Sequence, residues 1–278
     1  MLAEATNTVP SRDAILAALH QASAATGSDF SYLLNTATRE SGLKSVAKST
    51  SSSAAGLFQF VEQTWLGLVK AHGAQFGLGS YAGVIGKGCD GRFCVDNAAD
   101  RSAILALRNN PQIAALMEGE YANATRTTLQ GALGRNVCSG ELYAAHFLGP
   151  EAACRLIKLN ETDPSHSAAS SFPQAAAANR SVFYHADGTP KSVRDVYNWA
   201  LKAPSTALAS VEHATTPAPT ASHGTAMRQS DAFPPVSSGG LDDFASLSYL
   251  AQTPLALSAD LIDLLGSSSE LASGGTYR

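Results

Sequence analysis

Charge is scarce in this chain. Asp, Glu, Lys and Arg make up 15% of its 278 residues, and nowhere do the basic ones cluster as they do in proteins that neutralise a phosphate backbone. Nucleic acid is therefore not an expected partner. Long apolar runs are missing as well, so no membrane span is expected. The opening stretch M-L-A-E-A-T-N-T-V-P lacks the basic region and apolar run of a secretory signal. Period-two strand patterns are nearly absent, which points to an all-α chain. Cysteines number four, and no His lies near Cys89 or Cys94, so zinc is not expected. No other metal and no cofactor is expected either.

What is present is small and apolar. Hydrophobic residues reach 45%, ample for a core. Up to Ser205, 17 Lys and Arg stand against 16 Asp and Glu, whereas beyond it 2 stand against 7. A near-neutral body suits an uncharged ligand held by hydrogen bonds. The expected organisation is an N-terminal extension over residues 1–10, a helical domain over 11–204, and an acidic tail rich in Ala, Ser, Thr and Pro over 205–278. The tail has too little large apolar content to fold alone. Its two islands, Leu241 to Leu250 and Leu257 to Leu265, are either residual apolar clusters or short helices that dock on an export or envelope-machinery partner.

Within the body the spacing predicts a surface helix from Ile15 to Ala25, one from Asp29 to Glu40 and one from Val61 to His72. Gly73 to Gly91 reads as an irregular loop. Asn97 to Arg108 reads as a helix, and Asn110-Pro111 as the cap and first position of a longer one reaching Leu133. In that helix Tyr121 belongs either to the core or, as a sharper alternative, to a groove. A short helix follows Ser139 and ends at Gly149-Pro150, and another spans Glu151 to Leu159. Pro173 opens a turn, and Ser192-x-x-Asp195 is a capping box. Cys89 and Cys94, separated by four residues, have a spacing that a small disulfide loop closes. Cys138 and Cys154 are either a second bridge or buried thiols.

The most informative stretch is T-R-E-S-G-L-K-S-V-A-K-S-T-S-S-S-A-A-G-L-F-Q-F, Thr38 to Phe60. Phe30, Leu33, Leu34 and Ala37 form the apolar face of the helix that Asp29 caps and Gly42 ends. Glu40 falls about 70° from the centre of that face, which predicts a half-sheltered carboxyl. Partial burial and the negative end of the helix both push its pKa upward. A carboxylic acid that stays protonated near neutral pH is what general-acid cleavage of a glycosidic bond needs.

The E-S-G, followed sixteen residues after the Glu by G-L-F-Q-F and then a helix bearing Trp65, resembles the soluble, goose-lysozyme-like lytic transglycosylases. That resemblance implies a lysozyme-like helical domain acting on peptidoglycan glycan strands. It implies that Glu40 is the sole catalytic acid/base and that Ser41 orients it. It also implies that Gly56, Leu57, Phe58 and Gln59 line the sugar groove, with Phe58 in place of the commoner Met. Serines after the Glu, by spacing Ser49 and Ser51, would touch the substrate N-acetyl group. The family's A-Y-N-A-G element falls at Ala145 to Gly149, where His146 replaces the tyrosine beside the catalytic carboxyl. Either His146 takes over that contact, or Tyr143, one turn earlier, reaches in; the plainer reading of His146 is a core histidine satisfied by backbone.

The implied reaction splits the MurNAc–GlcNAc bond and closes a 1,6-anhydro ring without water. Two alternatives stay open: a hydrolytic muramidase with a second acid among Asp90, Asp96 and Asp100, and a non-catalytic peptidoglycan-binding module. The implied location is the periplasm or cell envelope. The unsignalled N-terminus then calls for non-classical export, a phage origin or a misplaced start.

Overall fold

The computed structural model describes residues 10–50 and 52–202. The tail over 205–278, residues 1–9 and Ser51 lie outside them. Twelve α-helices run through the described chain: α1 (Arg12–Thr26), α2 (Phe30–Ser41), α3 (Glu62–His72), α4 (Gly79–Val84), α5 (Ala98–Ala106), α6 (Pro111–Leu133), α7 (Ser139–Leu148), α8 (Pro150–Thr162), α9 (Ala168–Ser171), α10 (Pro173–Ala178), α11 (Arg180–Phe183) and α12 (Val193–Leu201). The fold is all-α, apart from one two-stranded hairpin, β1 (Gly86–Lys87) and β2 (Phe93–Cys94). Among the described residues no helix is long and apolar enough to cross a membrane.

Caps written in the sequence set the boundaries. The Asp29 carboxylate accepts from Tyr32 N at 2.8 Å, and Gly42 closes α2 in the left-handed region at φ 58°. Asn110 accepts from Gln112 N and Ile113 N, and Pro111 opens α6 where its missing N–H costs nothing. Ser192 and Asp195 form the expected capping box.

The 23-residue α6 is the central strut. It packs against α1, α2, α3, α7 and α8, and α12 closes over α7 and α8. One residue shows how tight the strut is: a Cβ on Gly119 would stand 2.3 Å from Thr26 Oγ1, so only glycine lets the end of α1 cross here. Ser28 seals the crossing by donating to the Gly119 carbonyl at 2.7 Å.

Three expectations change. First, α1 is half core, with Ile15, Ala18, Leu19 and Ala22 buried toward α6. Small alanines on that face permit the close approach, so polar His20, Gln21 and Ser23 do not make it a surface helix.

Second, Gly73 to Gly91 is ordered as a 3-10 turn (Gly73–Phe76), α4 and the first hairpin strand. Leu78, Ala82 and Ile85 supply its buried anchors.

Third, all four cysteines are free. The hairpin register sets Cys94 opposite Gly86, with its sulfur 3.7 Å from the place a Gly86 Cβ would take. Cys89 sits at the turn, just after Gly88, whose N–H bonds the Arg92 carbonyl. The Cys89–Cys94 bridge is thus a correction: the two residues are not cross-strand partners.

Candidate active site

The last turn of α2 carries Arg39, Glu40 and Ser41, all buried. After Gly42 the chain turns back through Leu43, also left-handed at φ 64°, and the segment up to Phe60 folds beneath the helix end. Leu57 and Phe58 are fully buried, contributing about 2 kcal/mol each. Those anchors aim two backbone carbonyls at the site. Leu57 O takes Ser41 Oγ at 2.8 Å, and Phe58 O lies 3.2 Å from His146 Nε2.

The Glu40 residue is 1% exposed, so the half-sheltered position expected from the helical wheel is corrected to full burial. An isolated helix cannot show that α6 and α7 close over its border. Tyr143 donates its hydroxyl to Glu40 Oε1 at 2.9 Å, and His146 Nε2 stands 4.0 Å from the same oxygen. Oε2 is buried with no hydrogen-bond partner. Burial raises the Glu40 pKa, while His146, the Tyr143 hydrogen bond and Arg39 lower it and Glu118 raises it again; the balance is upward. A protonated Glu40 that accepts at Oε1 carries its proton on Oε2, the oxygen free to donate. Tyr143, pushed well above its ordinary value by burial, stays a phenol and keeps donating.

Of the two residues weighed for the contact with the carboxyl, Tyr143 makes it and His146 does not. Tyr143 makes the direct contact, and His146 meets a backbone carbonyl while remaining close to Glu40. Tyr121 is core: its ring packs edge-on to Phe60 and its residue is buried.

The other candidates are braces. Gln59, left-handed at φ 49°, donates from Nε2 to Gly56 O at 2.9 Å and Ala47 O at 3.2 Å. Ser49 is buried and accepts from Ser52 N at 3.2 Å. The side chains of Leu57, Phe58 and Gln59 are buried and point into protein, as Glu40 does. Their burial follows from the reversal at Gly42, which brings the loop under α2.

Three residues escaped the sequence reading. Arg39 lies 3.6 Å over the Tyr143 ring and 4.6 Å from that of Trp199, and its Nη1 donates to Ala200 O and Lys202 O at the end of α12. It holds the Tyr143 ring from behind. Arg108 bonds Ser53 O and Phe60 O and so clamps the loop.

Glu118, on α6, is 0% exposed; it accepts from Tyr32 at 2.9 Å, and its Oε2 lies 3.2 Å from His146 Nδ1. A signal for it existed: Ala114, Met117, Glu118, Tyr121, Ala122 and Thr125 share one helical face, so the acid stands on the apolar stripe.

The charges that act most strongly on Glu40 are His146, Arg39 and Glu118, and none of Asp90, Asp96 and Asp100 is among them. Asp90 instead accepts from Arg92 N in the hairpin turn. Among the described residues, no group of three His, Cys, Asp or Glu side chains is placed to hold a metal ion. No protein-family model matches the chain.

Proposed function

We propose that the protein is a peptidoglycan lytic transglycosylase with Glu40 as its single acid/base. The observation that carries this reading is the buried Glu40 carboxyl itself, raised in pKa, pinned at Oε1 by Tyr143 and free at Oε2. It sits in the Glu-Ser-Gly context whose resemblance to that family prompted the reading.

In this scheme Glu40 Oε2–H protonates the oxygen bridging MurNAc C1 to GlcNAc. The C1–O bond breaks with its electron pair on that oxygen, which leaves as a hydroxyl. The MurNAc N-acetyl oxygen shares the positive charge at C1. Glu40, now a carboxylate, takes the proton of the MurNAc 6-hydroxyl, and O6 bonds to C1. Proton and charge return to their starting places, and no water is consumed. Tyr143 and Arg39 hold the carboxyl in line, while Ser41 ties the helix end to the Leu57 carbonyl. Because the Glu40 side chain has no solvent exposure, turnover in this scheme includes a motion that admits the sugar.

A cell-envelope site of action follows from the substrate. A docking partner for the acidic tail belongs to the same proposal.

Mass spectrometry of muropeptides released from purified peptidoglycan tests the reaction. The expected products end in 1,6-anhydroMurNAc, one water lighter than hydrolytic ones. Reducing ends in their place would make the protein a muramidase with a second acid. Tyr143→Phe is expected to lower the release rate about tenfold to a hundredfold, because it strips Glu40 Oε1 of its donor. The corresponding stability loss is about 1 kcal/mol, read by chemical denaturation.

A further inference from the structure

The transglycosylase scheme leaves a second fully buried carboxyl, Glu118, and the imidazole that it faces without a part. Both ring nitrogens of His146 look at atoms that accept hydrogen bonds. Nε2 lies 3.2 Å from the Phe58 carbonyl oxygen and 4.0 Å from Glu40 Oε1, and Nδ1 lies 3.2 Å from Glu118 Oε2. A neutral imidazole has one N–H, so one contact would set lone pair against lone pair. An imidazolium facing a Glu118 carboxylate suits both sides, as does the one alternative that moves the proton across to Glu118 Oε2; the Nδ1 contact has ion-pair distance without hydrogen-bond alignment.

The surroundings agree. Glu40 faces the ring from α2, and Glu118 and Tyr121 from α6. Tyr143 stacks on it from α7 at 6.2 Å, and the Phe58 carbonyl and Phe60 ring approach from the loop. Two carboxyls therefore meet the imidazole, and the cation Arg39 is held on the Tyr143 ring. Tyr32 donates to the other Glu118 oxygen at 2.9 Å, which keeps that side chain in place.

We propose that Glu118 is a positioning residue that holds His146 as an imidazolium beside Glu40, so that the anion formed when Glu40 gives up its proton appears next to a fixed cation. This inference rests on the reading of Glu40 as the acid/base. A preoriented charge of that kind lowers the barrier of the bond-breaking step without reorganisation. Burial pulls the His146 pKa down, but Glu118, then Glu40 and the Phe58 carbonyl, outweigh it and raise it to about 9. With Glu118 as its main partner, the proposed cation is present at neutral pH and is lost as pH rises, taking activity with it. Without the Glu118 charge the loss moves to lower pH.

The test uses the full chain and Glu118→Gln, whose amide oxygen still accepts from Tyr32. At neutral pH the variant is expected to release muropeptides about tenfold to a hundredfold more slowly, through kcat with KM little changed. Its alkaline limb should move acidward by at least about one pH unit, and Glu118→Asp should restore the limb in part.

Nitrogen NMR of labelled histidine, with His146 assigned by its loss in His146→Gln, reads the charge directly and needs no activity. The parent is expected to show both His146 nitrogens protonated at neutral pH, and Glu118→Gln only one. A singly protonated His146 in the parent overturns the proposal, as does an unmoved alkaline limb in a folded Glu118→Gln. If that variant fails to fold, the parent spectrum decides alone. A parent with the imidazolium but no muropeptide release overturns the reading of Glu40 and leaves the pairing of Glu118 with His146 standing.

Discussion

Glu40→Gln is expected to lower the release of 1,6-anhydromuropeptides from purified peptidoglycan by roughly a thousandfold or more, with the fold retained. An amide of the same shape can still accept from Tyr143 at the Oε1 position, 2.9 Å away. It cannot give up a proton to a leaving oxygen, nor take one from the 6-hydroxyl. Both half-steps depend on this group, and Glu118, the other buried acid of the cluster, is engaged by Tyr32 and His146. The amide also removes the burial penalty that raises the Glu40 pKa, so the melting temperature should stay within a few degrees of the parent. Equal muropeptide release by parent and variant would sink the assignment of Glu40. A variant that binds glycan strands while releasing none would place the defect in the chemical step.

Gly56→Ala should produce the largest stability loss of any single methyl addition in the loop. Gly56 has φ 82°, and a Cβ there would stand 2.0 Å from the Arg108 carbonyl oxygen. Strain in the left-handed region and a clash with backbone act together, and the expected cost is roughly 3 kcal/mol. For a domain of this size that lowers the melting temperature by about 6–12 °C. The relief available to the chain is to push Arg108 outward, which pulls its guanidinium from Ser53 O and Phe60 O. Leu57 O and Phe58 O then move away from Ser41 and His146, so activity should fall together with stability. Gly131→Ala is the control. Gly131 lies in α6 with no positive φ and no atom within 4 Å of the place an added methyl would take, and alanine there should be neutral or stabilising by up to about 1 kcal/mol. Thermal melts of the two variants side by side check the contrast; equal melts would mean that the Arg108 backbone gives way to the methyl at little cost.

The elements that were legible in advance are those whose signals are local. Asp29 and Gly42 bracket α2, Asn110 and Pro111 open α6, and Ser192 with Asp195 opens α12, each because a cap satisfies backbone groups within a few residues of itself. The position of Glu40 at the end of a helix followed from the same signals. Errors gathered where glycine is dense or where a contact spans the chain. Gly73 to Gly91 read as loop because glycine hides helical propensity, yet Leu78, Ala82 and Ile85 have core to pack against. The Cys89–Cys94 spacing suited a bridge, but hairpin register assigned Cys94 to Gly86.

By itself, then, the sequence determined the helical class, most helix boundaries and the candidate acid, since capping and apolar period act over one or two turns. Tertiary structure alone decided the environment of that acid. It brought Tyr143 and His146 from α7 and Glu118 from α6 to one buried cluster, joining residues 103 and 86 positions apart along the chain. How completely a side chain is buried, and which charges then face it, are properties of what packs over it, and no helical wheel contains that information.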